Sequence, residues 1–407
     1  MLHLRFSLAP LAAALLLAGC QRASVTPDTA TPQPLTTAER QTVSSANDFA
    51  YRAFGSLHRA DPTENLCFSP LSVSAALTMA YNGADGSTKA AMKQTLGFQP
   101  LTDQQINESY QSLFARFTGL DNKVTFAAAN SLWHGRQYQL QGPFVQANQT
   151  YFGASVQPVT FGDPAAAATI NAWCSAKTQG RIPKILDNTT SDDVLYLLNA
   201  IYFKGAWTAP FDPRSTYNGQ FRHENGSFGT ADFMRLQRVG YRQYQDSQVQ
   251  LVDLPYGKGN FSMTLLMPAD TSRLGQLAAR LSAPQLATWL AAADSTHIDL
   301  HLPKFKLEYE KELKPMLAQL GMGVAFGNSA NFSRMVDGIS QGLVITKVKH
   351  KAFLEVNEEG TEAAAVTSVG FGVTSVPPSI RFDRPFIFLI RERESGTILF
   401  MGKLMQP

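Results

Sequence analysis

The residues of this chain whose types and spacing could do chemistry fall into two kinds, and the first kind fails on context. Gly338-Ile339-Ser340-Gln341-Gly342 matches the Gly-x-Ser-x-Gly spacing that presents a nucleophilic serine. A working elbow of that type follows a strand and opens a helix, whereas the strand-like run Leu343 to Val348 follows this one. His297 and His301 lie four apart and could share a strand face, but no third metal ligand accompanies them, so a solvated strand face is the better account. Gly321-Met322-Gly323 follows a helix-like segment rather than a strand and so lacks the setting of a dinucleotide loop. The expectation is a protein that is not an enzyme and uses no metal or cofactor.

The second kind is a segment that reads either as a plain surface loop joining two strands or as a strand in waiting. From Gly360 to Val376 the chain is mostly Ala, Gly, Ser, Thr and Val with one charge, Glu362. Such a composition makes an exposed loop. Yet alternate positions also form a strand pattern. Thr361, Ala363, Ala365, Thr367, Val369, Phe371 and Val373 share one largely apolar face, and Glu362, Ala364, Val366, Ser368, Gly370 and Gly372 share the other. A segment that can be loop or strand is what a bistable element needs. About ten residues joining the middle of a sheet would gain two rows of hydrogen bonds, each worth roughly 1 kcal/mol net. Gly370 and Gly372 weaken the far end of such a strand.

The elements that must position this loop are legible in outline. The 407 residues are 44% hydrophobic and 16% charged, which suits one large domain or two small ones. A formal charge of +3 gives no argument for a nucleic-acid partner. Thr36-Thr37-Ala38-Glu39 reads as a capping box that opens a first helix, with Val43, Ala46, Phe49, Ala50, Phe54 and Leu57 at helical spacing. Ser69-Pro70 opens a second, deeply buried helix, and Ser87 caps a third that runs through Leu96. Lys123 to Trp133, Val194 to Tyr202, Leu251 to Pro255, Phe261 to Met267 and Ile298 to Phe305 read as strands. Tyr309 to Leu320 reads as a helix and Leu343 to Val356 as a long strand. Ile380 to Arg391 and Ile398 to Leu404 read as a hairpin turned at Ser395-Gly396. Helices early and strands late give an α+β class.

The N-terminus is a targeting segment. His3 and Arg5 precede an apolar run, Leu8 to Leu17, broken only by Pro10 and too short to span a membrane. Leu17-Ala18-Gly19-Cys20 resembles a bacterial lipobox, which implies removal of residues 1–19 and acylation of Cys20. Gln21 in place of Asp then implies a lipid-anchored protein of the bacterial envelope, at the outer membrane, facing the periplasm or the surface. Residues 20–40, with Pro27, Pro32 and Pro34, read as a tether. With no later composition shift, 41–407 reads as one domain. Cys67 and Cys174 lie far apart among mostly apolar neighbours. An exported chain permits a disulfide, but the reading is two buried thiols.

Five blocks, in order, resemble the serpin family of serine protease inhibitors. They are Asn65 to Ser72 with Gly83 to Thr88, Asn199 to Trp207, Leu302 to Phe305, His350 through the Glu358-Glu359-Gly360-Thr361-Glu362-Ala363-Ala364-Ala365 hinge, and Phe382 to Phe386 with Phe400 to Lys403. The resemblance covers nearly all of 41–407. It implies a helix-rich half, a large mixed central sheet, smaller sheets and an exposed reactive-centre loop at about 358–378, in a monomer. It places Ser69, Ser72, Asn199 and His350 in a polar shutter under the sheet, Trp207 and Lys304 at the breach where the loop enters, and Glu358 as the partner of Lys304. Small residues at the hinge match inhibitory members, because they can enter a sheet without overpacking it.

The same alignment puts the bait bond after Thr374, fourteen residues past Gly360 and before Ser375, with Val373 as the neighbouring choice. The implied mechanism is suicide inhibition, in which a protease acylated by the loop is trapped as the cut strand inserts. Thr374 and Val373 suit an elastase-like pocket, and Phe371 would suit a chymotrypsin-like or papain-like one. No basic residue favours a trypsin-like target. A non-inhibitory binding or chaperone-like member of the family is the alternative.

Overall fold

A computed structural model describes residues 33–269, 274–338, 343–361 and 378–407. Thr36 caps the first helix, α1 (Thr37–Ala60), through a complete capping box with Glu39. Phe49, Ala50, Ala53 and Phe54 on its inner stripe are fully buried. Ser69 caps α2 (Pro70–Tyr81), whose first-turn proline needs no backbone donor. This helix is buried on nearly every side, as its almost wholly apolar sequence requires. The third helix, α3 (Gly86–Thr95), is preceded by Asp85, so Ser87 lies inside it rather than at its cap. Helices α4 (Asp103–Gly119), α5 (Gly142–Phe152) and α6 (Pro164–Lys177) complete the helical half. Later come α7 (Leu274–Arg280), α8 (Ala283–Ala292) and the short α9 (Lys314–Leu317).

The strands are β1 (Leu66–Phe68), β2 (Val124–Gly135), β3 (Ser155–Val159), β4 (Leu195–Ala206), β5 (Tyr217–Arg222), β6 (Phe228–Gln245), β7 (Val249–Tyr256) and β8 (Phe261–Pro268), then β9 (Asp294–Pro303), β10 (Phe305–Glu312), β11 (Lys349–Val356), β12 (Gly360–Thr361), β13 (Ser379–Arg381), β14 (Phe386–Glu392) and β15 (Ile398–Leu404). One sheet runs β1-β15-β14-β8-β7-β6-β9-β13, with β5 also on β6. A second runs β12-β4-β2-β3, and β10 pairs with β11 as an antiparallel ribbon. This is the α+β architecture the sequence implies.

Three expectations need correction. Tyr309 to Glu312 belong to strand β10, not to a helix. Pairing of Phe305–Glu312 with Lys349–Val356 outweighs the helix preference of their Glu and Lys residues. The strand after the Gly-x-Ser-x-Gly motif begins only at Lys349, because 343–348 have no strand partner among the described residues, and Ser340 itself lies outside them. The Ile380 to Arg391 strand is two strands, interrupted where Asp383 and Pro385 turn the chain from β13, parallel to β9, into β14.

Candidate functional site

The site is a cleft between β4 and β11, built over α2. β4 pairs along its length with β2, and β11 pairs along its length with β10. On their facing edges, among the described residues, the sole ladder is a short one. Gly360 pairs with Ala206 and Thr361 with Gly205, antiparallel, at the top of β4. Below Gly205 the two strands part over the face of α2.

At the top, a tight turn at Asn357 to Gly360 delivers the chain from β11 onto β4. Gly360 has φ of 145°, and a Cβ there would sit 2.0 Å from the carbonyl oxygen of Gly205, so only glycine makes this turn. Thr361 is buried, with its Oγ1 2.9 Å from the Tyr256 hydroxyl. Trp207 stacks on Tyr256 at 4.4 Å between ring centroids and donates its indole N–H to the Asn357 carbonyl at 2.9 Å. Lys304 Nζ lies 3.0 Å from Glu358, which also accepts from the Thr216 hydroxyl at 2.7 Å. Burial alone would raise the Glu358 pKa, but the Thr216 and Lys304 hydrogen bonds overcome it and hold the carboxyl below its usual range. Glu358, Gly360, Thr361, Trp207 and Lys304 are therefore brought together.

Midway down, the start of α2 meets β4 and β11. Ser69 Oγ accepts from the Ser72 N–H, and Ser72 Oγ donates to Asn199 Oδ1. Asn199 donates in turn to Asn130 on β2, and Asn130 to the Phe152 carbonyl. The Ser69 N–H donates to Nε2 of His350 at 3.2 Å, which requires a neutral ring. Full burial lowers the His350 pKa to about 4. So Ser69, Ser72, Asn199 and His350 form one connected polar cluster in an otherwise apolar seam. Its hydrogen bonds can be exchanged as strands move, which interlocked apolar packing resists.

Sequence reasoning missed Asn130, Tyr256 and Thr216. An Asn inside a strand as apolar as β2 was the available signal for the first. The other two depend on which strands become neighbours. Conversely, the metal pairing weighed for His297 and His301 gives way to a different finding. His297 is exposed, but His301 is buried with its Nδ1 2.7 Å from the Tyr217 hydroxyl, not on a solvated face. Cys67 and Cys174 are both buried and free. Cys20, Glu362, Ala363, Ala364, Ala365, Val373, Thr374 and Ser375 lie outside the described residues.

Comparison with known proteins fits this geometry. The model of a family described as Serpin (serine protease inhibitor) matches residues 44–407. The chain is 34% identical over 380 residues to Leukocyte elastase inhibitor A of Rattus norvegicus, covering 90% of this chain and 99% of that protein. It is 36% identical over 375 residues to Iripin-2 of Ixodes ricinus, covering 90% and 94%. Among solved structures, human thyroxine-binding globulin is similar with a TM-score of 0.84 and 28% identity, covering 91% of this chain and 99% of that one.

Proposed function

This chain belongs to the serpin family of serine protease inhibitors, and from that premise we propose that it is a suicide inhibitor of an elastase-like serine protease. The target's hydroxyl attacks the Thr374 carbonyl. The bond to Ser375 breaks, the Ser375 amine leaves with a proton, and residues up to Thr374 remain as an ester on the protease. The freed segment then enters the cleft as a strand antiparallel to β4, and the ester is trapped before water reaches it. The observation that carries this reading is the two-residue ladder at Gly360–Thr361. It is the start of a strand on an edge that has no other partner among the described residues. The small hinge residues Thr361 to Ala365 suit its continuation. A lipid on Cys20 and the tether to about residue 40 would hold the inhibitor at the bacterial envelope.

The second reading, a non-inhibitory binding protein, draws on the similarity to thyroxine-binding globulin. One experiment separates the two. The chain lacking residues 1–20 is mixed with an elastase-like protease and run on a denaturing gel with mass spectrometry. A complex that survives denaturant, linked through Thr374 or Val373, is expected. Thr361→Arg should give cleavage with no complex, because a charge on the inner face cannot be buried there unpaired. Clean cleavage of the unaltered chain by every such protease would overturn inhibition.

A further inference from the structure

The β13 edge of the large sheet carries a second group of polar side chains. There β13 pairs parallel with β9 over three residues, Ser379 to Arg381, and β9 is its one strand partner among the described residues. Two backbone bonds frame this ladder. The Asp299 N–H donates to the Pro378 carbonyl at 3.0 Å, and the Phe382 N–H donates to the His301 carbonyl at 2.9 Å. Of the three β13 side chains, only that of Ile380 is buried. Ser379 follows Ser375 by four residues, so this ladder is the C-terminal foot of the reactive loop.

A ladder so short holds weakly by itself. The side chains beside it come from three neighbouring strands. Tyr217 of β5 stacks on Phe233 of β6, and its hydroxyl lies 2.7 Å from Nδ1 of His301 on β9. The guanidinium of Arg381, on β13 itself, lies over the same Tyr217 ring at 5.8 Å from its centroid. Tyr217 thus touches both β9 and the last residue of β13. His301 Nε2 faces Asp299 Oδ2 at 3.6 Å, and Arg235 of β6 donates to both Asp299 oxygens at 3.0 and 2.7 Å.

The bond between Tyr217 and His301 has a direction. The Asp299 carboxylate favours a proton on Nε2, which leaves Nδ1 to accept from the Tyr217 hydroxyl. Burial lowers the His301 pKa, Arg381 and Arg235 lower it further, and Asp299 works against them. Asp383, in the turn after β13, acts on Tyr217 from the remaining side chain. A second proton on the ring reverses the bond. Nδ1 becomes a donor, the Tyr217 hydrogen loses its acceptor, and a positive ring is added beside Arg235 and Arg381 while Asp299 is already engaged by Arg235.

We propose that Tyr217 and His301 are a positioning pair for the foot of the reactive loop. With His301 neutral they hold β13 on β9 through Arg381, and in acid they let it go. Neither touches the bait bond, and both act through β13. Only the consequence for Thr374–Ser375 rests on the inhibition reading, since a loosened foot presents that bond less rigidly to a protease. The clamp itself is a property of the sheet.

Hydrogen exchange tests the clamp. Protection factors of the Asp299 and Phe382 amides are compared at about pH 7.5 and about pH 5, on either side of the ordinary histidine pKa. Amides of the β7–β8 ladder serve as the reference, so that global destabilisation is divided out. In unaltered protein, protection should fall by roughly tenfold or more in acid. In His301→Gln, which keeps a hydrogen-bonding group beside Tyr217 but cannot titrate, the fall should shrink to about twofold or less. Tyr217→Phe keeps the ring beneath Arg381 and removes the hydroxyl, so it should lose protection already at the higher pH. No fall in unaltered protein, an equal fall in His301→Gln, or full protection in Tyr217→Phe would overturn the clamp. Should His301→Gln fail to fold, the other two proteins still decide. Mixed with an elastase-like protease at the higher pH, Tyr217→Phe should form the trapped complex more slowly by about threefold or more, while its rise in melting temperature on loop cleavage matches that of the unaltered chain. Equal rates would overturn the positioning role. No complex from the unaltered chain would remove the inhibition reading and leave the exchange result to judge the clamp.

Discussion

The top and the base of the cleft are bounded by the same two strands, yet they stand in different states. At the top, a ladder has formed over a stack of Trp207 on Tyr256, and Glu358 is fixed by Lys304 and Thr216. At the base, β4 and β11 lie apart over an apolar cavity, with a neutral polar cluster between. The difference lies in what each level offers the first residues of a new strand. Thr361 finds a buried hydroxyl partner directly below it, so even two residues of ladder are worth forming. At the base the lining is apolar, and among the described residues no strand pairs with that edge of β4.

The largest expected effect comes from abolishing the contrast. Cleavage within the loop should let the ladder run to the base. With roughly ten residues gaining about 1 kcal/mol per hydrogen bond on two edges, less the cost of ordering them, the melting temperature should rise on the order of 10 °C or more. Differential scanning calorimetry of cut and uncut protein measures it directly, and an unchanged midpoint would remove the premise that the base is unfinished.

The polar cluster should make the middle of the cleft acid-sensitive. Burial holds His350 neutral with its pKa lowered to about 4, against about 6.5 in an unfolded chain. A depressed pKa means that the unfolded state binds more protons between those values. The stability this ring contributes is therefore complete above pH 6.5 and lost as pH falls towards 4. About 3 kcal/mol is at stake over that window. His58, whose pKa burial and Lys403 also lower to about 4, adds to the same slope. Denaturant melts of unaltered protein and His350→Gln at several pH values should converge as pH drops from 6.5 to 4. Parallel curves would show that His350 does not titrate there.

At the top, Gly360→Ala should unseat the hinge, since a methyl at φ 145° collides with the β4 backbone. A local cost of roughly 1–3 kcal/mol is expected. Because the turn is peripheral, it should appear mainly as faster hydrogen exchange at Trp207 and Phe211, whose N–H groups donate to Glu359 and Glu358. Unchanged protection at both amides would mean that the turn can re-form with an alanine.

This turn also shows what was legible beforehand. Its sequence and the polar residues Ser69, Ser72, Asn199 and His350 were readable, because each sits in a local pattern of recognisable composition. That they meet was implied by the family resemblance, and the distances now give the meeting a chemistry. Tyr256 and Asn130 were not readable, because their importance lies in strands that become neighbours only after folding. The misread start of the helix expected over Tyr309 to Leu320, which is helical only from Lys314 on, has the same origin. Its Glu- and Lys-rich beginning favours a helix locally, while eight residues of pairing with β11 decide otherwise.

The smallest effect should come from Lys304→Met, and its smallness sharpens the account of the top. The Lys304 side chain is 40% exposed while that of Glu358 is 10% exposed. The pair is thus partly solvated, and removing the cation should cost about 0.5 kcal/mol, an amount that salt screens. Glu358 would still accept from Thr216, so it would not be left buried without a partner. Thr216→Val should therefore be the more harmful change of the two, although it removes no charge, because it strips the bond on the less exposed side. Melts of both variants at low and high salt decide the point. A Lys304→Met loss that exceeds the Thr216→Val loss and persists in high salt would mean that the top is held by its ion pair rather than by the aromatic stack and the hydrogen bonds beneath it.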